Sequence, residues 1–154
     1  MSDLRIEPVA EDAGDALLAH WRDVHNAVIP THPLTLDEVR GRAARNHLTV
    51  ARLDDTVIGS MTVRPPAGDD RAATVIARIL PGYRRRGFGR ELYLHGLATA
   101  HALGAQEVDT IVLATNESGL GFALKHGFAE TARHVPDGDT VAFIDLRLTM
   151  DPLP

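Results

Sequence analysis

The stretch Arg84-Arg85-Arg86-Gly87-Phe88-Gly89 follows an apolar run that ends at Pro81 and leads into a long amphipathic run that begins at Gly87. This order of strand, turn, cationic Gly-x-Gly segment and helix is typical of an anion-binding loop. Amides at a helix N-terminus have no partner within the helix, and the helix dipole adds partial positive charge there. Glycine has no side chain that would keep an anion away from those amides. The stretch therefore predicts an anion site at the start of a helix.

Two nucleotide-binding patterns fail on this stretch. A P-loop requires Gly-x-x-x-x-Gly-Lys-Ser/Thr, which the sequence lacks. A dinucleotide fingerprint requires a third glycine where Leu92 stands, and an acidic residue at the end of the next strand. Asp109 has roughly the right spacing, but it lies near the start of its predicted strand. An isolated Gly-x-Gly is more often a solvated turn, so the interpretation depends on the elements around it.

Hydrophobic periodicity and chain-breaking residues predict the element order β-α-α-β-β-β-α-β-α-β-β. Thr35 and Glu38 have the spacing of a capping box at the start of the second helix. The hairpins and one strand-helix-strand crossover predict an α/β fold with a mixed, mostly antiparallel sheet. The predicted strands are Leu4–Val9, His47–Leu53, Thr56–Val63, Arg71–Leu80, Glu107–Thr115, Phe128–Val135 and Thr140–Leu148, with a loop at Pro65–Asp70. The predicted helices are Ala13–Val28, Leu36–Arg45, Gly87–Leu103 and Glu117–His126.

The composition is that of an ordinary globular protein. The 154 residues are 44% hydrophobic and 24% charged, and we expect residues 1–154 to form a single domain. The absence of cysteine excludes disulfides and thiolate chemistry. We find no apolar run of membrane-spanning length and no signal-peptide core, so we expect a cytoplasmic protein with no membrane partner. A net charge of −5 argues against nucleic acid as a partner, with the arginine cluster as the local exception.

Taken together, the motifs resemble the GNAT (GCN5-related N-acetyltransferase) superfamily. The superfamily's pyrophosphate loop, Arg/Gln-x-x-Gly-x-Gly/Ala, is matched by residues 84–89. The run Ala77-Arg78-Ile79-Leu80-Pro81 is similar to the end of its fourth strand, and Asn116 to the asparagine after its fifth. Phe122-Ala123-Leu124-Lys125-His126-Gly127-Phe128 is similar to its Phe-Tyr-x-Lys-x-Gly-Phe segment. The element order agrees over nearly the whole chain.

The resemblance implies that acetyl-coenzyme A is the co-substrate and that no metal takes part. Backbone amides at a splayed strand edge would hold the acetyl carbonyl and the pantetheine arm, and the amides of the loop would wrap the pyrophosphate. An N-cap of the following helix is an equally good interpretation of Asn116. The cofactor-binding residues that the resemblance implies are Ala77, Ile79, Arg84, Arg85, Arg86, Gly87, Phe88, Gly89, Arg90, Asn116 and Phe122.

The chain departs from the superfamily in its proton-handling groups. Ala123 stands where many members have a tyrosine that protonates the departing thiolate, so Ser118, Tyr93 or water would have to substitute. The fourth strand has no carboxylate to act as a base. His25 and His32 are the candidate catalytic bases, because imidazole changes charge near neutral pH and both lie in the early helical segment. The alternative interpretation, which is the commoner one for such residues, is that both are surface histidines.

The acceptor is expected to be an amine of a small molecule or peptide. The acceptor pocket would be formed by Val24–Arg40 and His134–Thr140. Neither segment contains a run of charges that would indicate a particular substrate. A homodimer is an option that the sequence leaves open. The alternative function is a catalytically weak or inactive acyl-coenzyme A-binding or sensing module of the same fold, which Ala123 favours. A nucleic-acid patch at the arginine cluster is a third interpretation, which the net charge disfavours.

Overall fold

The computed structural model describes residues 3–149, which form seven strands, four α-helices and a short 3-10 helix (Pro81–Tyr83) in a mixed α/β arrangement. This arrangement confirms the predicted fold class. The strands are β1 (Leu4–Val9), β2 (His47–Leu53), β3 (Thr56–Ala67), β4 (Ala72–Ile79), β5 (Glu107–Leu113), β6 (Phe128–His134) and β7 (Phe143–Leu148). The helices are α1 (Asp15–Val28), α2 (Leu36–Arg45), α3 (Phe88–Ala102) and α4 (Glu117–Lys125). No helix in residues 3–149 is long and apolar enough to cross a membrane.

The sheet has the strand order β1-β2-β3-β4-β5-β7-β6. Every neighbouring pair is antiparallel except β4 and β5, which are joined by the α3 crossover and run parallel. The parallel pairing covers only three residue pairs, from Ala72–Glu107 to Thr74–Asp109. The sheet is therefore continuous at one end of β4 and β5, and the two strands separate at the other.

Helices cover both faces of the sheet and bury one apolar cluster on each. The larger cluster packs α3 against β3, β4 and β5, and the smaller one packs α1 and α2 against β2. Helix α3 approaches the sheet closely, since a Cβ added at Gly96 would lie 2.6 Å from both Met61 Sδ and Val75 Cγ1. The glycine is thus required by packing, because a methyl group there would overfill the core.

The helix boundaries follow the capping signals in the sequence. The predicted capping box is confirmed: Thr35 Oγ1 accepts from the Glu38 amide at 3.2 Å, and Glu38 Oε1 accepts from the Thr35 amide at 3.1 Å. The predicted end of β3 is wrong, because the strand continues from Val63 through Pro65 and Pro66 to Ala67. The ladder with β4 shifts register between Arg64 and Ala67, where the two prolines have no amide hydrogen to donate.

Candidate functional site

The separation of β4 from β5 opens a cavity of about 680 Å³. Residues Val75–Ile79 line one side and residues Thr110–Leu113 the other, beyond the last β4–β5 pair at Thr74 and Asp109. Helices α3 and α4, the loop between Ile79 and Phe88, the C-terminal end of α1 and one phenylalanine each from β6 and β7 contribute the remaining walls. The cavity is therefore built from the same segments that carry the sequence motifs.

The amides of Ala77 and Ile79 point away from β3. The Leu80 amide donates to Ile58 O at 2.8 Å. In this antiparallel register, Arg78 and Ser60, two residues away, therefore also form a hydrogen-bonded pair. Because hydrogen-bonded and non-hydrogen-bonded pairs alternate, the peptide groups of Ala77 and Ile79 are directed to the opposite edge. That edge faces the space where β5 has diverged. The two residues predicted to bind the acyl arm thus have free strand-edge amides in the cavity.

The loop after β4 is held by one arginine and bent at two residues. Arg84 Nε donates to Ile79 O at 2.8 Å, which ties the loop to the end of the strand. Gly87 has φ +85° and Arg85 has φ +64°, both in the left-handed region. A glycine adopts that region freely, whereas an arginine there is held by its surroundings, as is common at ligand-binding loops. The bends turn the loop toward the N-terminus of α3.

The N-terminus of α3 has no side-chain cap. Helices α2 and α4 are capped by Thr35 and Asn116, but the N-cap of α3 is Gly87, which has no side chain to offer. The first amides of α3 therefore lack a side-chain partner, and Gly87, Gly89 and Arg90 line the cavity. Uncapped amides with the positive end of a helix dipole suit a phosphate-bearing ligand. The residues present thus fit a pyrophosphate group.

Not all of the predicted loop residues reach the cavity. Arg84 and Arg85 line it, together with Arg90 at the start of α3. Arg86 instead lies with its Cζ 5.1 Å from the ring centroid of Phe88, and neither of these residues is among the cavity-lining ones. The side chains of Arg86 and Phe88 are therefore separated from the other predicted contacts, although their backbone belongs to the same loop.

Both interpretations of Asn116 hold geometrically. Its Oδ1 accepts from the Gly119 amide at 3.1 Å, so the residue caps α4, and it also lines the cavity. Phe122 lies one and a half turns along α4 and lines the cavity beside Ala123. Ala123 is only 3% exposed. The position of the expected tyrosine is therefore a small, tightly enclosed part of the cavity wall.

The hydroxyl groups of Ser118 and Tyr93 are the expected substitutes for the missing tyrosine. Ser118 lies exposed at the start of α4 and lines the cavity. Tyr93 also lines the cavity, but its hydroxyl oxygen is buried and has no hydrogen-bond partner within residues 3–149. Burial raises the pKa of Tyr93 further above its usual range. Its ring packs edge-on against Phe122 and Phe128, so Tyr93 contributes mainly apolar contacts.

The two candidate bases lie in different environments. His25 is 3% exposed, stacks on Trp21 and is not among the cavity-lining residues. Burial lowers the pKa of His25 to about 4, although a hydrogen bond with Asn26 opposes this shift. His25 is thus a neutral interior side chain at pH 7, and the structure does not bring it to the cavity.

His32 lies in the loop between α1 and α2 and is partly exposed. Its Nε2 is 2.5 Å from Asp139 Oδ2, which joins two segments that are 107 positions apart. The ring of His32 also meets Phe143 edge-on at 5.4 Å, and Phe143 lines the cavity. His32 and Asp139 therefore form a pair at the rim of the cavity, held by the two segments predicted to form the acceptor pocket.

Sequence reasoning missed Asp139 as a functional candidate, and it missed the cavity-lining Arg78 and Phe143. Asp139 belongs to a Pro-Asp-Gly turn region that reads as an ordinary loop. Arg78 sits inside a strand run in which alternation alone does not indicate what its side chain meets. Only the fold brings these residues together with segments more than 30 positions away.

The comparisons agree with this geometry. The sequence model of the acetyltransferase (GNAT) family matches residues 14–128, so the chain belongs to the GNAT acetyltransferase family. No curated protein sequence matches the chain significantly.

Solved structures of the same fold align over nearly the whole chain. The yncA protein of Salmonella typhimurium with acetyl-CoA has 16% identity and a TM-score of 0.74, with 97% of this chain and 95% of that chain covered. The ribosomal-protein-S18-alanine N-acetyltransferase of Escherichia coli has 15% identity and a TM-score of 0.71, with 96% of each chain covered. A GNAT family acetyltransferase of Elizabethkingia anophelis with acetyl-CoA bound has 13% identity and a TM-score of 0.68, with 97% and 100% covered.

His25 makes the stability of the protein depend on pH. In the unfolded chain its imidazole takes up a proton near pH 6.5, whereas the folded state resists protonation until about pH 4. Between these values the unfolded state binds more protons, so stability is complete above pH 6.5 and is lost as the pH falls to about 4. We expect His25 to account for a loss of roughly 3 kcal/mol in unfolding free energy across this window. Urea unfolding at several pH values measures it.

The matched variants for this measurement are His25→Phe and His95→Gln. Phenylalanine keeps a ring against Trp21 but cannot titrate, so its unfolding free energy should change less with pH. His95 is exposed on α3, and His95→Gln should keep the wild-type slope. Equal slopes in all three proteins would show that His25 is not the group responsible.

The protein is expected to be more stable when Tyr93 is replaced by phenylalanine. The buried hydroxyl has no partner in the described chain, and burying an unpaired hydroxyl costs about 1 to 3 kcal/mol. Tyr93→Phe removes that cost and keeps the ring contacts, so the unfolding free energy should rise by about 1 kcal/mol. Chemical denaturation would measure the difference, and a fall of similar size would mean that the hydroxyl has a bonding partner in solution.

Proposed function

We propose that the chain is a single-domain N-acetyltransferase that moves an acetyl group from acetyl-coenzyme A directly to an amine. The observation that carries this proposal is the cavity between β4 and β5, which combines free strand-edge amides with the uncapped, arginine-flanked N-terminus of α3. Membership in the GNAT family supports it, as do the acetyl-CoA-bound neighbours of the same fold.

In this proposal the donor binds along the motif-bearing wall of the cavity. The α3 amides and the side chains of Arg85 and Arg90 bind the pyrophosphate, and the strand-edge amides of Ala77 and Ile79 bind the acyl arm. Asn116 offers its side-chain nitrogen to the pantetheine arm while its oxygen caps α4. Arg84 holds the loop in position, and Arg86 and Phe88 contribute backbone rather than side-chain contacts.

The reaction forms a bond between the acceptor nitrogen and the acetyl carbon and breaks the carbon–sulfur bond. Holding both reactants in one cavity replaces a bimolecular encounter with a positioned one, which supplies much of the rate. The Ala77 and Ile79 amides face the developing oxyanion, where hydrogen-bond donors lower the barrier most. The acceptor loses one proton to a base, and the thiolate gains one after departure.

The absence of a tyrosine at Ala123 does not prevent thiolate departure. A free thiol has an ordinary pKa of about 8.5, so its anion is only about 2 kcal/mol uphill at pH 7. Solvent, or Ser118 at the exposed edge of the cavity, can return the proton afterwards. An enzyme of this kind is slower than one with an acid, but its reaction proceeds.

His32 is the proposed general base. Its Nε2–H donates to Asp139, which leaves Nδ1 as the nitrogen that can accept a proton from the acceptor amine. Asp139 fixes the ring and its tautomer, so it acts as a positioning residue. The pair lies at the rim next to Phe143, on the acceptor side of the cavity.

The second candidate function is an acyl-coenzyme A-binding module without turnover. Ala123 favours it, because the enclosed wall leaves the departing thiolate without a nearby acid. Both functions require donor binding, so release of coenzyme A in the presence of amines separates them.

Donor binding should depend on Arg90 and hardly on Arg86. Calorimetric titration with acetyl-coenzyme A should give about three- to tenfold weaker binding for Arg90→Gln, since one solvent-accessible cation facing the ligand is lost. Arg86→Gln, in which the lost guanidinium lies over Phe88, should change affinity by less than about twofold. Coenzyme A release across a panel of amines then tests turnover. Tight donor binding without release by any amine would leave the binding module as the function.

Catalysis should depend on the His32–Asp139 pair. With a productive amine, His32→Gln should lower kcat by about a hundredfold or more, because general-base catalysis contributes that much. Asp139→Asn should lower kcat less and alter the pH profile of kcat, while KM for acetyl-coenzyme A stays the same. His134→Gln is the control, since His134 also contacts Phe143, with its ring stacked at 5.9 Å between centroids. A loss in His134→Gln with full activity in His32→Gln would reverse the assignment.

A further inference from the structure

One face of the central strands carries arginines that have no acidic partner. On β4 Arg78 lies opposite Ser60, and on β3 Arg64 lies opposite Thr74, so both side chains are on the same face of the sheet. This is the face on which Leu48 and Val50 pack against α1 and α2. Helix α2 adds Arg42, whose charge acts on Arg78, as does that of Arg64. We refer to Arg42, Arg64 and Arg78 as the arginine triad.

In the described part of the chain the members of the triad have no counter-ions, as is also true of the arginines in the loop after β4. Within residues 3–149, no ion pair or side-chain hydrogen bond joins any of its members to another residue. Glu38 is the acid that acts on Arg42, but it is the smallest influence on that residue, and its Oε1 accepts from the Thr35 amide. By contrast, ion pairs to aspartate or glutamate hold Arg22, Arg40, Arg52, Arg133 and Arg147.

Arg78 is a desolvated cation at the cavity wall. The residue is half-buried, and it lines the cavity between β4 and β5. Burial, followed by the neighbouring charges of Arg42 and Arg64, lowers the pKa of Arg78 to about 10, so it remains charged at pH 7. The surrounding protein partly excludes water from the Arg78 side chain, and this side chain lines the cavity. A partly buried charge without a partner is costly, and an anion in the cavity would offset that cost.

Arg78 lies on the acceptor side of the cavity. Val75 and Ile79 face α3, into which the loop after β4 leads, and Arg78 alternates to the face covered by α1 and α2. Both Arg78 and His32 interact electrostatically with His25 in α1. The proposed binding site for the donor phosphates has its own cations: Arg84 and Arg85 in the loop after β4 and Arg90 at the start of α3. The triad is therefore not needed to bind the phosphates of the donor.

We infer that the acceptor is a small primary amine that also carries a carboxylate or phosphorus oxyanion, and that Arg78 binds this anionic group from the cavity wall, with Arg42 and Arg64 adding positive charge from outside the cavity lining. The inference rests on the proposed acetyl transfer. Guanidinium groups present a planar fork of donors that matches these oxyanions. A small amino-acid-like molecule fits better than a peptide, because Arg78 is half-buried inside a cavity of about 680 Å³ that must also hold the acyl arm.

The test compares matched pairs of amines that differ in the anion. L-alanine with L-alaninamide and 2-aminoethylphosphonate with ethylamine are the probes, and L-alanyl peptides with an acidic second residue form a third arm. Two readouts are needed: coenzyme A release at saturating acetyl-coenzyme A, and equilibrium binding of each amine to the protein loaded with coenzyme A. The anionic member of at least one pair should show a kcat/KM or affinity at least about tenfold higher.

Arg78→Gln and Arg42→Gln test the residues, with Arg45→Gln as the matched control on α2. Arg78→Gln should abolish the preference for the anionic amine and leave the affinity for acetyl-coenzyme A unchanged. Arg42→Gln should reduce the preference for the anionic amine. Arg45, which is exposed and also acts on Arg42, should be replaceable without effect. The melting temperature of Arg78→Gln should match or exceed that of the wild type, because an unpaired charge is removed. A lower melting temperature with an unchanged preference would show that Arg78 has a structural role only.

The outcomes separate this inference from the proposed function. Binding of the anionic amine that depends on Arg78, without coenzyme A release, would retain the anion site and overturn acetyl transfer. Release with neutral and anionic amines at equal kcat/KM would retain acetyl transfer and overturn the anion site. A preference for acidic peptides over both free amines would overturn the assignment of a small acceptor. Equal and weak binding of all probes to the wild type would also overturn the anion site.

Discussion

The divergence of β4 from β5 after three residue pairs is the constraint on which the rest of the molecule depends. Strand β4 stays with β3 through Ile79, while β5 stays with β7 through Leu113 and Phe143, so neither strand can close the gap. The unpaired edges would be costly if they were buried without partners. They are tolerated because they face a cavity that water or a ligand can enter, and this places free amides where an acyl group can be bound.

The loop and helix after β4 depend on the same gap. Helix α3 must cross the sheet to connect two parallel strands, and Gly96 lets it lie close enough to seal one face. Its N-terminus then begins at the mouth of the gap, with Gly87 bent and uncapped. A capping side chain there would satisfy the amides and weaken their attraction for an anion. The local features of the loop therefore make physical sense only because the strands separate beneath it.

The sequence predicted the order of the elements, and it singled out many of the loop and strand residues that line the cavity, because both are encoded locally. The capping box at Thr35 and Glu38 and the Gly-x-Gly turn each involve residues a few positions apart. The end of β3 was mispredicted because prolines at Pro65 and Pro66 normally stop a strand, and here a register shift accommodates them. The His32–Asp139 pair and the arginine triad could not be predicted, since their members are brought together only by the fold.

The triad also bears on how an acceptor could lose its proton without a strand carboxylate. An ammonium group is destabilised by nearby like charge, so cations around an acceptor lower the pKa of its amine. In the proposed arrangement Arg78 attracts the anionic end of the acceptor, and the remaining positive charge of Arg42 and Arg64 opposes an ammonium at the other end. Each unit by which the amine pKa falls removes about 1.4 kcal/mol from the cost of deprotonation at pH 7. In this proposal a histidine at the rim is a sufficient base, because nearby positive charge lowers the pKa of the acceptor amine.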